Sequence, residues 1–350
     1  MGRVRSGEPA IAMKTVLILS STSDFHSDLL VKAADTRGMR CLRWNTDHER
    51  VTAEVDSSLP NDALFITSQQ EVRASDLDLA FIRRPTRACV AANQVWQSEV
   101  RDDEWQAFEH GLIHLSHARI VNPTASAVAA RNKLLQLKVA HACGLSVPET
   151  VISTRLERLI AFAETGDVVT KAVSYGGVTD GDHVRTGYTR AVTVEEIRAL
   201  ETAPAPTLLQ RHIRPAAMWR VVTIGDQVFS FRLRGQELND VTDSRFVETQ
   251  LKGGHIPTPT RIEAGMREML HRLSISYASS DFIEDASGEL FFLDLNPDGQ
   301  WAHYELEFGV PLSEHLIDLP TIPQPMALGG VNPSPHAFWR GDQARRGASR

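Results

Sequence analysis

Residues 281–301, DFIEDASGELFFLDLNPDGQW, carry carboxylate and amide oxygens at spacings that suit a hard metal ion. A side-chain period of two puts Asp294 and Asn296 on one face of a strand and Leu293 and Leu295 on the other. The stretch from Tyr277 to Leu295 reads as a hairpin turning near Ser287-Gly288. A turn centred near Ala286-Ser287 sets Asp281 opposite the neighbourhood of Phe292, one side-chain step from Asp294. Magnesium commonly takes one or two carboxylates and completes its octahedron with water and phosphate oxygens, so Asp281, Asp294 and Asn296 suit a metal-nucleotide site. On spacing alone a solvated hairpin edge with incidental acids is the alternative. Acids standing among Phe291, Phe292 and Leu293 need partners if the strand is buried.

Cationic residues stand elsewhere in the chain. Lys171 lies in the strand-like run VVTKAV, followed by Tyr175-Gly176-Gly177-Val178, where glycine lets backbone N–H groups approach a phosphate closely. Arg220 and Arg232 fall on a second predicted hairpin, Arg220 to Ile224 and Gln227 to Leu233 around Gly225-Asp226, and Arg245 sits in DVTDSRF. Fixed guanidinium groups bind a transferred phosphate or a substrate carboxylate.

These residues need elements to position them. Thr15 to Ser20 (TVLILS) is β-branched and apolar, and an amphipathic stretch through Leu29, Leu30 and Ala33 leads to Gly38 and a strand near Cys41, a βαβ opening. No G-x-G-x-x-G stands between its strand and helix, so the dinucleotide fingerprint is absent there. A further strand, Leu79 to Ile82, ends in Arg83, Arg84 and Pro85, placing basic residues toward a cleft. From Ser126 to Gly144 the positions Val128, Leu135, Val139 and Ala142 recur at helical spacing and predict one helix stopped by Gly144. Thr193 with Glu196, and Thr260 with Glu263, have the spacing of a capping box and predict two more helix starts.

The chain of 350 residues is long enough for two or three lobes around a shared cleft. With 42% hydrophobic and 23% charged residues it has an ordinary soluble composition, and no run is long enough for a membrane span. The formal charge of -7 argues against nonspecific nucleic-acid binding. Cys41, Cys89 and Cys143 are far apart with no C-x-x-C, which suggests neither a zinc site nor a disulfide framework. The opening MGRVRSGEPAIAMK is basic but lacks the apolar stretch of a secretory signal, so residues 1–12 read as an extension outside the fold and cytoplasmic residence is expected. From about Pro320 the sequence mixes Pro, Gly, Ser and Arg without hydrophobic period, predicting a poorly ordered tail.

DLNPDGQW resembles the metal-binding strand of the ATP-grasp ligases, usually written with Glu as E-x-N. Asp294 replaces that Glu, Asn296 matches directly, and Asp281 matches the family's upstream metal-binding Asp. ARNKLLQLKVAHACGLSVPET, residues 130–150, resembles the helix that opens the family's central nucleotide-binding domain, with Lys133 at its phosphate-binding lysine and Lys138 as a weaker substitute. Lys171, with Gly176 and Gly177 after it, looks like the second lysine and the mobile phosphate-covering loop. LLQRHIRP, residues 208–215, matches the hinge strand that meets adenine through backbone groups, with Gln210, Arg211 and Ile213 as candidate positions. Many members carry an acid before the first arginine of the following hairpin; here Trp219 precedes Arg220, and that local ion pair is missing. The ordered matches cover Asn122 to Gln300, with the βαβ unit where the family's preceding domain belongs. The resemblance implies an α/β (α+β) ATP-grasp fold with a pre-ATP-grasp domain over 13–121, a central lobe over 122–207, a C-terminal lobe over 208–325 and a tail over 326–350. ATP and two magnesium ions are the implied cofactors.

FIRRP at residues 81–85, the long spacing after it, and NPDGQW most resemble the microviridin-type maturases that make graspetides. The resemblance implies that an Asp or Glu side chain of a ribosomally made precursor takes the γ-phosphate of ATP. A Ser or Thr hydroxyl or a Lys amine then attacks the acyl phosphate, giving an ω-ester or ω-amide crosslink with ADP and phosphate. Lys133, Lys171, Arg220, Arg232 and Arg245 would hold the transferred group in line. No dedicated general base is evident. GYTRAVTVEEIRALE, residues 187–201, resembles the strand and helix that capture the precursor's leader, with Glu195 and Glu196 as candidate contacts, although capping and dipole compensation also account for them. The implied partners are a precursor peptide with leader and core and a second copy of the chain in a homodimer, with no nucleic acid and no membrane. Two alternatives stay open: a free-standing carboxylate-amine ligase acting on a small-molecule, peptide or protein carboxylate, and a noncatalytic ATP-binding regulatory module.

Overall fold

TVLILS becomes β1 (Thr15–Ser20), and every residue of it is buried, as expected for a parallel strand covered on both faces. The chain continues through α1 (Phe25–Thr36), β2 (Arg40–Asn45), β3 (Thr52–Glu54), β4 (Leu64–Ile66), β5 (Glu71–Arg73), β6 (Leu79–Ile82), α2 (Val95–Leu115) and β7 (Arg119–Val121). β1 pairs in parallel with β2 and β6, and β6 with β7, giving the order β2-β1-β6-β7, while β3, β4 and β5 form a small antiparallel sheet. Leu17, Leu19, Trp44, Phe65, Ala80 and Ile113 lie in one core. The computed structural model describes residues 13–48, 52–55, 64–66, 70–85, 95–173, 177–180, 183–186, 189–203, 205–234 and 252–320. The extension over 1–12, the tail beyond Pro320, Cys89, Gly176 and Arg245 lie outside the described residues.

At the carboxyl ends of β1 and β6 the basic run after β6 divides in two. Arg83 is buried, with its Nε 3.7 Å from Asp24 Oδ2, whereas Arg84 is exposed and takes a φ of 41°. Ser27 Oγ donates to the same Asp24 oxygen at 2.6 Å. Burial, reinforced by the Arg83 charge, pushes His26 down to about 4, so it packs as a neutral ring at neutral pH.

Contacts divide the chain into two units, Met1–Val121 with Pro320–Arg350, and Asn122–Leu319. The second runs α3 (Thr124–Ala130), α4 (Lys133–Ala142), β8 (Thr150–Ser153), α5 (Leu156–Ala163), β9 (Val168–Lys171), β10 (Gly177–Asp180), β11 (His183–Thr186), β12 (Arg190–Val192), α6 (Val194–Arg198) and β13 (Thr207–Arg211). It continues with β14 (Ala217–Ile224), β15 (Gln227–Arg234), β16 (Lys252–Ile256), α7 (Thr260–Leu273), β17 (Tyr277–Glu284), β18 (Leu290–Asn296), α8 (Ala302–Phe308) and α9 (Leu312–Ile317). One antiparallel sheet has the order β12-β9-β13-β8, a second β16-β15-β14-β17-β18, and β10 and β11 pair alone. Ile262, Met266, Met269, Leu270 and Leu273 recur along one side of α7 and are buried with Trp219, Val221, Phe282, Phe292 and Leu295 of the larger sheet. Gly265 lets α7 come close to its neighbour: a Cβ there would stand 2.4 Å from Leu145 Cδ2.

Two helix expectations change. The single helix expected from Ser126 to Gly144 is two, α3 and α4, because Asn132 takes an extended backbone (φ -73°, ψ 116°) and its side chain accepts from the N–H groups of Leu134 and Leu135. Lys133 is therefore the first residue of a fresh helix. The T-x-x-E spacing at Thr260 makes no capping box: Pro259 is the N-cap, Thr260 is already helical, and Glu263 pairs with Arg267 at 2.5 Å. At Thr193 the capping box forms as expected, with Thr193 and Glu196 each bonded to the other's backbone.

Candidate functional site

The hairpin of β17 and β18 turns over Ser287 and Gly288, with Asp285 Oδ1 accepting the N–H groups of Ser287 and Glu289 at 2.9 Å. Up to Phe282 opposite Phe292 the register is regular, and then it shifts so that Asp281 faces Asp294 and Ser279 faces Asn296. Leu293 is the extra residue of this bulge. The sequence expectation had set Asp281 opposite the neighbourhood of Phe292; the inserted residue brings the two carboxylates into direct cross-strand register instead. The bulge also explains how Phe292 and Leu295, three residues apart, both enter the core while Asp294 and Asn296 take the other face.

Each carboxylate already has a cation. Arg220 of β14 sits opposite Asp281 in the ladder, with Nη1 2.9 Å from Asp281 Oδ1. The ion pair that the sequence lacks beside Arg220 is thus made across strands. Lys133, at the start of α4, forms an ion pair with Asp294, whose side chain keeps 37% exposure. Lys171, at the end of β9, donates from Nζ to Leu293 O at 2.9 Å, taking up the carbonyl of the bulged residue. Burial, opposed by Asp294 and reinforced by Lys133, holds the Lys171 ammonium down to about 8. A cavity of about 240 Å³ opens beside it, lined also by Thr170, Arg190 and Leu208.

The turn after β18 is tied in atom by atom. Asn296 Oδ1 accepts from Asp298 N–H at 3.0 Å, which fixes the amide, and Asp298 Oδ2 accepts from Arg131 Nε at 3.0 Å. Gly299 is required by close approach, since a Cβ there would stand 2.3 Å from the Cβ of Ser279. Trp301 is buried and donates through Nε1 to Ser313 Oγ at 2.9 Å.

Two buried amides that hold this arrangement carry no signal among the sequence motifs. Asn122 donates to Tyr277 O and Pro297 O at 2.8 Å each and accepts from the N–H groups of Ser276 and Tyr277 at 2.8 and 3.1 Å. Gln136 donates to Ala130 O and Leu295 O at 2.7 Å each and accepts from Leu295 N–H at 3.2 Å. For Gln136 the one available pointer was its position one helical turn beyond Lys133.

Other candidates stand elsewhere. Arg232 pairs with Trp219 in the ladder, on the face opposite Arg220, and grips Glu284 with Nε and Nη2 at 2.6 and 2.5 Å. The alternation that puts Arg220 with the acids takes Arg232 away from them. Gln210 and Arg211 lie in the β13 ladder. The Gln210 side chain donates to Thr150 Oγ1 at 2.8 Å, and the Arg211 guanidinium lies 4.0 Å over the Phe162 ring. Ile213 is half-buried between β13 and β14. Gly177 opens β10, opposite Thr186. Glu196 is engaged by Thr193 N–H at 2.8 Å and Arg190 at 3.0 Å, while Glu195 is exposed.

Lys133, Lys171, Arg220, Asp281, Asp294 and Asn296 therefore converge within one unit of the chain. The donor set of two carboxylates and one amide oxygen fits magnesium, which needs few protein ligands when phosphates supply others. Among the described residues no group of three or more His, Cys, Asp or Glu side chains gathers as a metal site. Cys41 and Cys143 are free.

No family model matches the sequence, and no curated protein does. Solved structures do match. A RiPP-associated ATP-grasp ligase of Chryseobacterium gregarium, in complex with ADP and a leader and core peptide, superposes with a TM-score of 0.76 at 19% identity over 88% of this chain and 96% of its own. Macrocyclase MdnC of Microcystis aeruginosa, bound with precursor peptide MdnA, gives 0.75 at 23% identity over 87% and 98%. D-alanyl-alanine synthetase A of Vibrio cholerae gives 0.51 at 12% identity over 88% and 97%. The chain has the ATP-grasp fold. Among its described residues no helix is long and apolar enough to cross a membrane.

Proposed function

We propose that this chain is an ADP-forming ATP-grasp carboxylate ligase that cyclises a ribosomally made peptide. The observation that carries the ligase reading is the convergence of Lys133, Lys171 and Arg220 on Asp281, Asp294 and Asn296, cations for phosphate beside oxygens for magnesium. The peptide reading draws on the likeness to ligases solved with leader, core or precursor peptides.

In this reading Asp281, Asp294 and Asn296 would hold magnesium, two ions in the full complement, and the bound metal would supply positive charge for the transferred phosphoryl group. Lys133 and Lys171 bind and orient the phosphates of ATP, and Arg220 holds the γ-phosphoryl group toward the acceptor. A peptide Asp or Glu oxygen bonds to the γ-phosphorus as the bond to the β,γ-bridging oxygen breaks, releasing ADP. The acceptor hydroxyl or amine of the same peptide then bonds to the acyl carbon as the acyl–oxygen bond to phosphate breaks, and the acceptor's proton is lost to the departing phosphate or to water. Arg232, held by Glu284, buttresses the hairpin rather than the phosphate. Arg245 remains a candidate phosphate contact and Glu195 a candidate leader contact.

The test is trapping with hydroxylamine, which converts an acyl phosphate to a hydroxamate. Protein, ATP, magnesium and a candidate precursor, a short peptide with Ser or Thr and Asp or Glu such as a neighbouring reading frame would encode, should yield peptide hydroxamate with matching ADP. ADP formation without any hydroxamate on the peptide would refute the acyl-phosphate route.

A further inference from the structure

β18 is the last strand of its sheet among the described residues, and an edge strand leaves a row of backbone groups to be satisfied. At Leu295 a single side chain does this. The Gln136 amide accepts from Leu295 N–H and donates to Leu295 O, the pair of bonds that a neighbouring strand would supply. Its second N–H donates to Ala130 O at the end of α3. Gln136 is 1% exposed, so both amide donors and the acceptor are committed inside the protein.

The position of this clamp gives it a consequence for the site. Leu295 lies between Asp294 and Asn296, and Gln136 stands one turn after Lys133 on α4. Two bonds from the amide therefore tie α4, which Lys133 opens, to the strand that carries Asp294 and Asn296, and the third ties it to the end of α3. The other ties between this part of the chain and β18 are the Lys133–Asp294 ion pair and the bond from Phe292 N–H to Ser146 O, and the remaining contact is side-chain packing, which sets distance but not register along the strand.

We propose that Gln136 is a positioning residue for magnesium-nucleotide binding, acting through the register of Lys133 against Asp294 and Asn296. This rests on the reading that those three residues hold phosphate and metal. Partners one shell beyond a metal site typically contribute about tenfold or more to its affinity.

The test compares the native chain with Gln136→Met, which keeps length and apolar character but loses all three bonds, and Gln136→Glu, which keeps the acceptor for Leu295 N–H. ADP affinity is measured by calorimetry with and without magnesium, alongside melting temperature. The enhancement of ADP affinity by magnesium should fall about tenfold in Gln136→Met and by less in Gln136→Glu. If Gln136→Met does not fold, a reduced enhancement in Gln136→Glu supports the proposal in its place, and a native enhancement there overturns it. A variant that melts earlier yet keeps the native enhancement would reduce Gln136 to a packing role and overturn the proposal. If the native chain shows no ADP binding, the nucleotide-site reading itself fails and this inference falls with it.

Discussion

Replacing Lys171 by Met should make the nucleotide-free protein more stable while weakening its hold on nucleotide. Burial lowers the Lys171 ammonium from its ordinary 10.5 to about 8, a penalty on the charged form of about 3 kcal/mol. Lys171 borders an open cavity, so water screens part of that, and about 2 kcal/mol is the working figure. The substitution also leaves Leu293 O without the Lys171 bond, a loss of about 1 kcal/mol. The net expectation at pH 7 is a gain of about 1 kcal/mol in the variant. Below about pH 8 native and unfolded chains both carry the Lys171 proton and the penalty is full. Between about 8 and 10.5 the unfolded chain alone keeps it, so native stability rises with pH, and above that range the penalty is gone. Denaturant unfolding of both proteins from pH 7 to pH 10.5 should show the variant's advantage shrink and reverse. Parallel pH curves, or a variant less stable at pH 7 by more than the lost bond, would refute the buried-charge argument. ADP affinity should fall in the same variant, because a phosphate restores the partner that makes the charge favourable.

Asp294→Ala removes a proposed metal oxygen and the partner of Lys133, and magnesium-dependent turnover should drop about 100-fold or more in a protein that still folds; near-native rates would remove Asp294 from the site. Asn122→Ala leaves four buried backbone groups without their side-chain partner and should cost about 3 kcal/mol in denaturant unfolding, whereas a loss below about 1 would mean that water replaces the amide. Gly299→Ala forces a methyl against Ser279 and should cost about 2 kcal/mol while raising the magnesium concentration needed for half-maximal turnover; an unchanged magnesium response would show that the turn yields without moving Asn296.

Much of this arrangement was written in local pattern. β1, β6 and the two hairpins of the larger sheet follow from β-branched runs, turn residues and alternation, and the helix start at Thr193 from its capping box. What escaped were features decided by tertiary contacts. A bulge at Leu293 leaves the alternation of either strand intact to the eye, yet it decides that Asp281 meets Asp294. The break at Asn132 hides inside an apolar period that continues across it, because a single side-chain cap outweighs the pattern. Arg220 and Arg232 share a residue type, and it is the two-residue turn at Gly225-Asp226, setting Arg232 opposite Trp219 and Arg220 opposite Phe231, that separates their faces. Gln136 and Asn122 carry no motif at all; their importance lies in which backbone groups the fold leaves for them to satisfy.

Intact-mass measurement of a candidate precursor peptide, a short chain with Ser or Thr and Asp or Glu such as a neighbouring reading frame would encode, after incubation with the protein, ATP and magnesium, tests the central claim most directly. The expected result is loss of one water per crosslink with an equal amount of ADP, abolished by Asp294→Ala. An unmodified peptide, with ADP formed only when free amino acids are supplied, would contradict peptide cyclisation and point to a ligase acting on small carboxylates.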